Sequence, residues 1–127
     1  MATDADKLDA IAQAAQRGEA PIGELIETFL DCVVVVPSRG DIVSSPESFQ
    51  PVVLEIEGDT LVAVFSSAAA AAVTDRARYA ATIPGREVLR LLAPGLGLLV
   101  TTDNAGFEIR PELARSIREW ESRPDAT

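Results

Sequence analysis

The chain contains 127 residues, of which 47% are hydrophobic and 24% charged, and its formal net charge is −9. This size and composition favour a single folded domain over residues 1–127, with disordered tails expected at residues 1–3 and 124–127. The acidic balance excludes nucleic acid and anionic membranes from the expected partners, because both are bound through clusters of Lys and Arg.

The negative charge is concentrated in the first half of the chain. Residues 1–63 carry twelve acids against Lys7, Arg17 and Arg39, whereas residues 64–127 carry eight acids and eight arginines. An acidic half of this kind favours solubility, and it also suits a basic protein partner.

The start of the chain does not resemble an export signal, since residues 1–6 carry acids where basic residues are required. The apolar runs at residues 33–36 and 96–100 are far shorter than the roughly 18 residues that a membrane span needs. Cys32 is the only cysteine, so no disulfide can form within the chain. We therefore expect a cytoplasmic protein without membrane partners.

Two helices are predicted at the start of the chain. Residues 4–16 place apolar side chains three and four positions apart, and Gly18 is suited to end that helix. A second helix is predicted from Pro21, with an apolar stripe that continues to Leu30.

Three strands follow in the sequence pattern. Residues 32–36 are almost all valine, which is typical of a strand buried on both faces and central in a sheet, and Pro37 is expected to end it. Residues 37–51 predict a long loop. Residues 52–56 and 61–65 flank a Gly-Asp pair, which indicates a hairpin.

The next segment predicts two more helices. Ser66 or Ser67 is suited to cap a helix that runs through the following alanines toward Ala80 and is broken at Pro84. A short helix then precedes the next Pro-Gly pair, and its predicted apolar face consists of Val88, Leu89, Leu91 and Leu92.

The end of the chain predicts two strands and a final helix. The strands are residues 97–100 and 107–109, and Pro111 opens a helix that places Ile117 and Trp120 on one side. Together, these elements predict an α/β (α+β) fold with a single-layer, mixed, largely antiparallel sheet of about five strands, packed with about five helices.

The order and spacing of these elements resemble the SseB-type N-terminal domain. The resemblance covers roughly residues 20–121 and consists of structural motifs rather than a chemical signature. The resemblance implies a module that is labelled by its association with enhanced serine sensitivity or with type III secretion. Neither label defines a mechanism, and the family provides no catalytic residue to assign in this chain. The turn at residues 101–104 departs from the Asn-Pro-Gly-like turn associated with the family.

The composition argues against several kinds of catalysis. The chain has no histidine, which is the commonest general base and metal ligand. Cys32 has no imidazole to activate it and begins an apolar strand, so we expect an inert core thiol. We predict no catalytic residue, no metal, no cofactor and no enzymatic activity.

Carboxylates and one tryptophan supply the candidate partner-binding residues. Glu55 and Glu57 are predicted to share a strand face, with Asp59 in the adjacent turn, where they face solvent or bind a hard cation or a basic partner. Gly85, Arg86 and Glu87 at a helix start either cap that helix or offer amides and a guanidinium to an anion, although Glu87 brings the opposite charge to the site. Trp120 either packs in the core or anchors a partner.

The leading hypothesis is a non-enzymatic, cytoplasmic protein-interaction module of the SseB-like type. One alternative is a small-ligand binder or hydrolase that relies on carboxylates, and another is an immunity or regulatory protein that binds a basic effector. The final helix or an uncovered sheet edge would also allow a homodimer.

Overall fold

The computed structural model describes residues 3–38, 52–67 and 79–121. These ranges form four helices and six strands in one mixed, mostly antiparallel sheet, which confirms the predicted α/β class and adds one strand to it. The elements in chain order are α1 (Asp4–Gln16), α2 (Ile22–Asp31), β1 (Val33–Ser38), β2 (Val53–Ile56), β3 (Asp59–Phe65), β4 (Tyr79–Pro84), α3 (Gly85–Leu91), β5 (Leu96–Thr101), β6 (Gly106–Ile109) and α4 (Pro111–Glu121).

The strands are arranged in the order β4-β1-β3-β5-β6, and β2 also pairs with β3. Strand β5 runs parallel to β3 along one edge, whereas the other described pairings are antiparallel. On the opposite edge of β3, β2 pairs with residues 59–62 and β1 reaches Phe65. Strands β1 and β2 therefore follow one another along the same edge of β3.

The helix predicted to continue toward Ala80 is wrong in its last part, because residues 79–84 form strand β4. This strand pairs with β1 along its whole length, from Ser38 opposite Tyr79 to Val33 opposite Pro84. Ladder hydrogen bonds to a central strand outweigh the helix propensity of alanine, which is a weak preference. Residues 68–78 of the predicted helix lie outside the described residues.

Strand β1 lies inside the sheet, between β4 and β3, as its valine run predicts. The expectation that Pro37 ends this strand is wrong, since Pro37 pairs with Ala80 and the strand runs to Ser38. The fixed φ of proline is compatible with extended backbone, so the pairing with β4 continues past it. Residues 39–51 of the predicted loop lie outside the described residues.

All four helices pack their apolar side chains against one face of the sheet. The core cluster on this face includes Leu8 of α1, Phe29 of α2, Leu89 of α3 and Ile117 of α4. A smaller cluster lies on the other face and consists of Val35, Val52, Ala63 and Phe65.

The chain passes directly from β4 into α3 at Gly85, where α3 meets the end of α2. The amide of Gly85 donates to the carbonyl of Cys32 at 2.8 Å, and a Cβ at Gly85 would overlap the carbonyl oxygen of Phe29. Only glycine allows this approach, because its hydrogen leaves room for the neighbouring backbone. The approach places Arg86, the second residue of α3, next to Asp31 at the end of α2.

Candidate functional site

The β2–β3 hairpin carries three of the predicted site residues. Its two-residue turn is Glu57-Gly58, with φ of 50° and 89°, and Ile56 pairs with Asp59 across it. Glu55 is exposed on β2. The predicted strand face shared by Glu55 and Glu57 is not formed, because Glu57 lies in the turn with left-handed backbone.

Arg110, between β6 and α4, binds this hairpin. Its guanidinium donates hydrogen bonds to Asp59 at 3.1 Å, to Glu57 at 3.2 Å and to the carbonyl of Ile56 at 3.0 Å. It also pairs with Glu108 at 2.8 Å. Two of the three predicted acids therefore already share a positive partner, which fastens the hairpin turn to the start of α4.

Asp9 of α1 is a buried carboxylate that joins the first helix to the β5–β6 turn. Its side chain accepts hydrogen bonds from the Thr102 hydroxyl at 2.6 Å, from the backbone and side-chain amides of Asn104 at 2.8 and 2.9 Å, and from Gln13 at 2.8 Å. Only 8% of Asp9 is exposed. The turn at residues 101–104, which departs from the family pattern, is thus held by a charge from α1.

The ionisation of Asp9 reflects two opposing effects. Burial by itself raises the pKa of a carboxyl group, but the hydrogen bonds from Asn104, Thr102 and Gln13 favour the charged form more strongly. The pKa of Asp9 is lowered from 3.8 to about 2. Asp9 is therefore ionised at neutral pH and acts as a fixed acceptor for the turn.

A groove of about 240 Å³ lies between α3 and α4, and three of its lining residues are arginines. We call it the arginine groove, and its lining residues are Arg86, Leu89, Arg90, Arg118 and Glu121. Helix α3 supplies the first three and α4 the other two, so the packing of these helices creates the groove. Leu89 is buried and gives the groove an apolar floor.

Each arginine in the groove has an intramolecular partner. Arg86 pairs with Glu121 at 3.2 Å and with Asp31 at 3.4 Å, and Arg90 pairs with Glu87 at 2.6 Å. Arg118 donates to the carbonyl of Leu92 at 2.9 Å. Arg86 is therefore not brought together with the acids of the hairpin, which bind Arg110 instead.

Trp120 is exposed rather than buried, with 53% of its surface accessible, although Ile117 one turn earlier is buried. Successive helical residues are separated by about 100°, so Trp120 projects from a flank of α4 that differs from the flank of Arg118. Leu91, predicted as part of the apolar face of α3, is also exposed. Core packing is thus not the main role of Trp120.

A family model described as the SseB protein N-terminal domain matches residues 8–115. The chain belongs to the SseB N-terminal domain family. This membership confirms the resemblance seen in the order of the predicted elements. Searches of curated proteins and of solved structures gave no match to this SseB domain.

The family match includes Asp9, Arg86 and Arg110, whereas Trp120 and Glu121 lie beyond it. Sequence reasoning missed the contacts of Asp9 with Thr102 and of Arg110 with Asp59 in this SseB domain, because the two residues of each pair are more than fifty positions apart in the chain. The only sequence signal for the buried carboxylate was the position of Asp9 among small apolar residues of α1. The spacing of apolar residues predicts helices and strands, but it does not identify a distant hydrogen-bond partner such as Thr102.

Cys32 of the SseB domain lies in the core, in agreement with its assignment as a buried thiol. Burial raises its pKa, and the nearby carboxylate of Asp4 raises it further. Its Sγ donates to the carbonyl of Asp4 at 3.6 Å. The thiol is therefore protonated at neutral pH and is a poor nucleophile.

Two further observations concern the described part of the chain. No helix there is long and apolar enough to cross a membrane. No group of three or more Cys, Asp or Glu residues is arranged there to hold a metal ion. Glu57 and Asp59 of the hairpin, together with Glu108, are instead arranged around the guanidinium of Arg110.

Proposed function

We propose that this SseB domain is a non-enzymatic, cytoplasmic module that binds another protein, with Trp120 in the contact surface. The exposure of the Trp120 side chain is the observation that carries the proposal. Ala114 and Ile117 of the same helix are buried, whereas the exposed Trp120 leaves a large apolar area available for association. Tryptophan is also among the residues that contribute most to binding energy in protein interfaces.

Helix α4 has the features of a binding element. Ala114 and Ile117 attach it to the core, and Arg118 fastens it to the carbonyl of Leu92. The backbone that carries Trp120 is therefore supported, so a partner would not need to order it on binding. Such preorganisation lowers the entropic cost of association.

The alternative functions receive less support from the geometry. Ligand binding by carboxylates requires Glu55, Glu57, Asp59 and Arg86 to converge, but Arg86 lies in the arginine groove. A basic effector would have to compete with Arg110 for Glu57 and Asp59. Homodimer formation stays a prediction, and light scattering at micromolar concentration tests it.

Affinity capture from the cells of origin, followed by mass spectrometry, tests the proposed function. The bait is the full chain in three forms: wild type, Trp120→Ala and Ile22→Ala. Ile22 is a matched control, since it is 57% exposed on α2. We expect a specific protein to be captured by the wild type and by Ile22→Ala, and to be lost with Trp120→Ala.

Circular dichroism of the three baits shows whether each variant keeps its helices and strands. Capture of the same proteins by folded Trp120→Ala would contradict the role of Trp120. Failure of the wild-type bait to capture any specific protein would contradict the proposed function itself.

A further inference from the structure

The outer edge of β2 is a strand edge that no other described strand covers. Strand β2 pairs with β3 on one side only, with Val53 opposite Val62 and Glu55 opposite Thr60. An uncovered edge presents backbone amides and carbonyls with which another extended chain can pair. Strand addition of this kind is a common way for a protein to bind an extended segment of a partner.

The register of the β2–β3 ladder determines which backbone groups point away from β3. The amide of Ala63 donates to the carbonyl of Val52 at 2.8 Å, so these two residues form a hydrogen-bonded pair of the antiparallel ladder. Hydrogen-bonded and non-hydrogen-bonded pairs alternate along such a ladder. Leu54 therefore directs its backbone groups toward β3, whereas the amides and carbonyls of Val53 and Glu55 point outward.

The side chains at this edge supply one apolar and one acidic contact. Val53 and Glu55 lie on the same face of β2, because side chains alternate along a strand. Val53 is 43% exposed, and Glu55 is exposed as well. Among the described residues, no cation pairs with Glu55, whereas Glu57 and Asp59 bind Arg110. The charge of Glu55 is therefore available to a basic side chain.

The hairpin region carries an excess of negative charge. The carboxylates of Glu57, Asp59 and Glu108 share the guanidinium of Arg110, and Glu55 adds a further negative charge on β2. A basic side chain opposite Glu55 would reduce this excess, and an acidic one would increase it. A second copy of the chain fits less well, since it would bring the same acids and a net charge of −9.

We propose that the outer edge of β2 binds an extended, basic segment of a protein partner as an added strand. An apolar residue of that segment lies opposite Val53, and a Lys or Arg lies opposite Glu55. The inference rests on the proposed function, because it assigns the conformation and the charge of a segment of the partner. Trp120 lies on α4, so the edge of β2 is a second contact.

Nuclear magnetic resonance of the full chain, labelled uniformly with ¹⁵N, tests the inference. The probe is acetyl-Lys-Thr-Val-Thr-Lys-amide, in which both Lys side chains and the Val side chain share a face when the peptide is extended. One comparison peptide carries Glu in place of both Lys, and another carries an N-methyl group on its Val, which removes a donor needed for pairing. We expect the unmodified basic peptide to shift the backbone amide signals of Val53 and Glu55 saturably. The two comparison peptides should not do so at the same concentration.

Three variants make the test specific. Val53→Pro removes an outward amide but no amide of the ladder to β3, and proline is tolerated at such edge positions, so it should weaken peptide binding by about fivefold. Glu55→Gln removes the charge and should weaken binding by about threefold. Glu27→Gln is the matched control, because it removes an exposed acid from α2 and should leave binding unchanged. Circular dichroism shows whether each variant keeps its fold, and Glu55→Gln with the N-methylated peptide decides the question if Val53→Pro does not fold.

Several results would overturn the inference. These are no saturable shift with the basic peptide, equal shifts with the N-methylated or acidic peptide, or unchanged affinity in both Glu55→Gln and folded Val53→Pro. Such a failure leaves the capture result with Trp120→Ala standing, so it refutes the strand edge and not the interaction module. Saturable peptide binding without any captured protein would instead refute the proposed function alone.

Discussion

Replacing Asp9 with alanine should lower the free energy of unfolding by about 2 kcal/mol at pH 7. The pKa of Asp9 is lowered from 3.8 to about 2, and each pKa unit corresponds to about 1.4 kcal/mol. The charged form therefore contributes roughly 2 kcal/mol through its hydrogen bonds with Thr102, Asn104 and Gln13. The better helix propensity of alanine offsets about 0.5 kcal/mol, while the unsatisfied Thr102 hydroxyl adds a cost of similar size or larger.

The same contact predicts a dependence on pH. The folded-state pKa of Asp9 lies below its unfolded value, so the stabilisation is fully present above about pH 5 and is lost as the pH falls toward 2. At pH 3, about half of the difference between the wild type and Asp9→Ala should be gone. A contribution of packing alone would not change with pH in this range.

Urea denaturation followed by circular dichroism at pH 7 and pH 3 measures both effects. Glu27→Ala is the control, because it removes an exposed acid from α2, with a smaller gain in helix propensity than Asp9→Ala. We expect it to change stability by less than about 0.5 kcal/mol. The reasoning would be refuted if Asp9→Ala cost no more than Glu27→Ala, or if its cost were equal at both pH values.

The remaining predictions concern backbone geometry and are measured by the same urea titrations. Gly85→Ala should cost about 3 kcal/mol, since its Cβ would overlap the backbone of Phe29, whereas Gly23→Ala, with open space around it, should be neutral or stabilising by up to about 1 kcal/mol. Glu57→Asn should stabilise the protein by roughly 0.3 kcal/mol, because asparagine suits the left-handed turn position better than glutamate. The ion pair with Arg110 that this change removes offsets only part of the gain, since the Glu57 side chain is 82% exposed. Thr3→Ala should cost about 1 kcal/mol, because the Thr3 hydroxyl caps α1 by accepting from the amide of Asp6 at 3.1 Å. An unchanged midpoint for Gly85→Ala or Thr3→Ala, or a lower one for Glu57→Asn, would contradict the respective argument.

Elements with local signals were predictable from the sequence. Helix α1 occupies the predicted residues 4–16, and Gly18 adopts the left-handed φ of 74° expected where a helix stops. The β2–β3 hairpin was also predicted, although its turn residues are Glu57-Gly58 instead of Gly58-Asp59. In each case, the residues that decide the structure are neighbours in the chain.

Strand β4 and the contacts of Asp9 were not predictable in this way. Residues 79–84 become a strand because β1, more than forty residues earlier, supplies their hydrogen-bond partners. Asp9 finds Thr102 and Asn104 only after the sheet brings the β5–β6 turn next to the first helix. Such contacts depend on tertiary structure, for which a sequence pattern contains no local signal.

The candidate site was predicted only in part. Trp120 was among the predicted contact residues, and its exposure follows from its place at the edge of the buried stripe, about 60° from Ile117 around α4. The arginine groove was not predicted, apart from Arg86 as a possible anion ligand. Its two walls come from helices separated by the β5–β6 hairpin, so their relative position is a property of the fold.

The end-to-end placement of β1 and β2 on one edge of β3 has a consequence for folding. Strand β3 is the element on which three other strands converge, and its parallel partner β5 joins Leu61 to Gly97, 36 residues later. Closing that loop costs more entropy than forming the neighbouring hairpin, so the β2–β3 pair should form first and the β3–β5 ladder late. Once both ladders are in place, the amides of β3 should be among the slowest in the protein to exchange with deuterium.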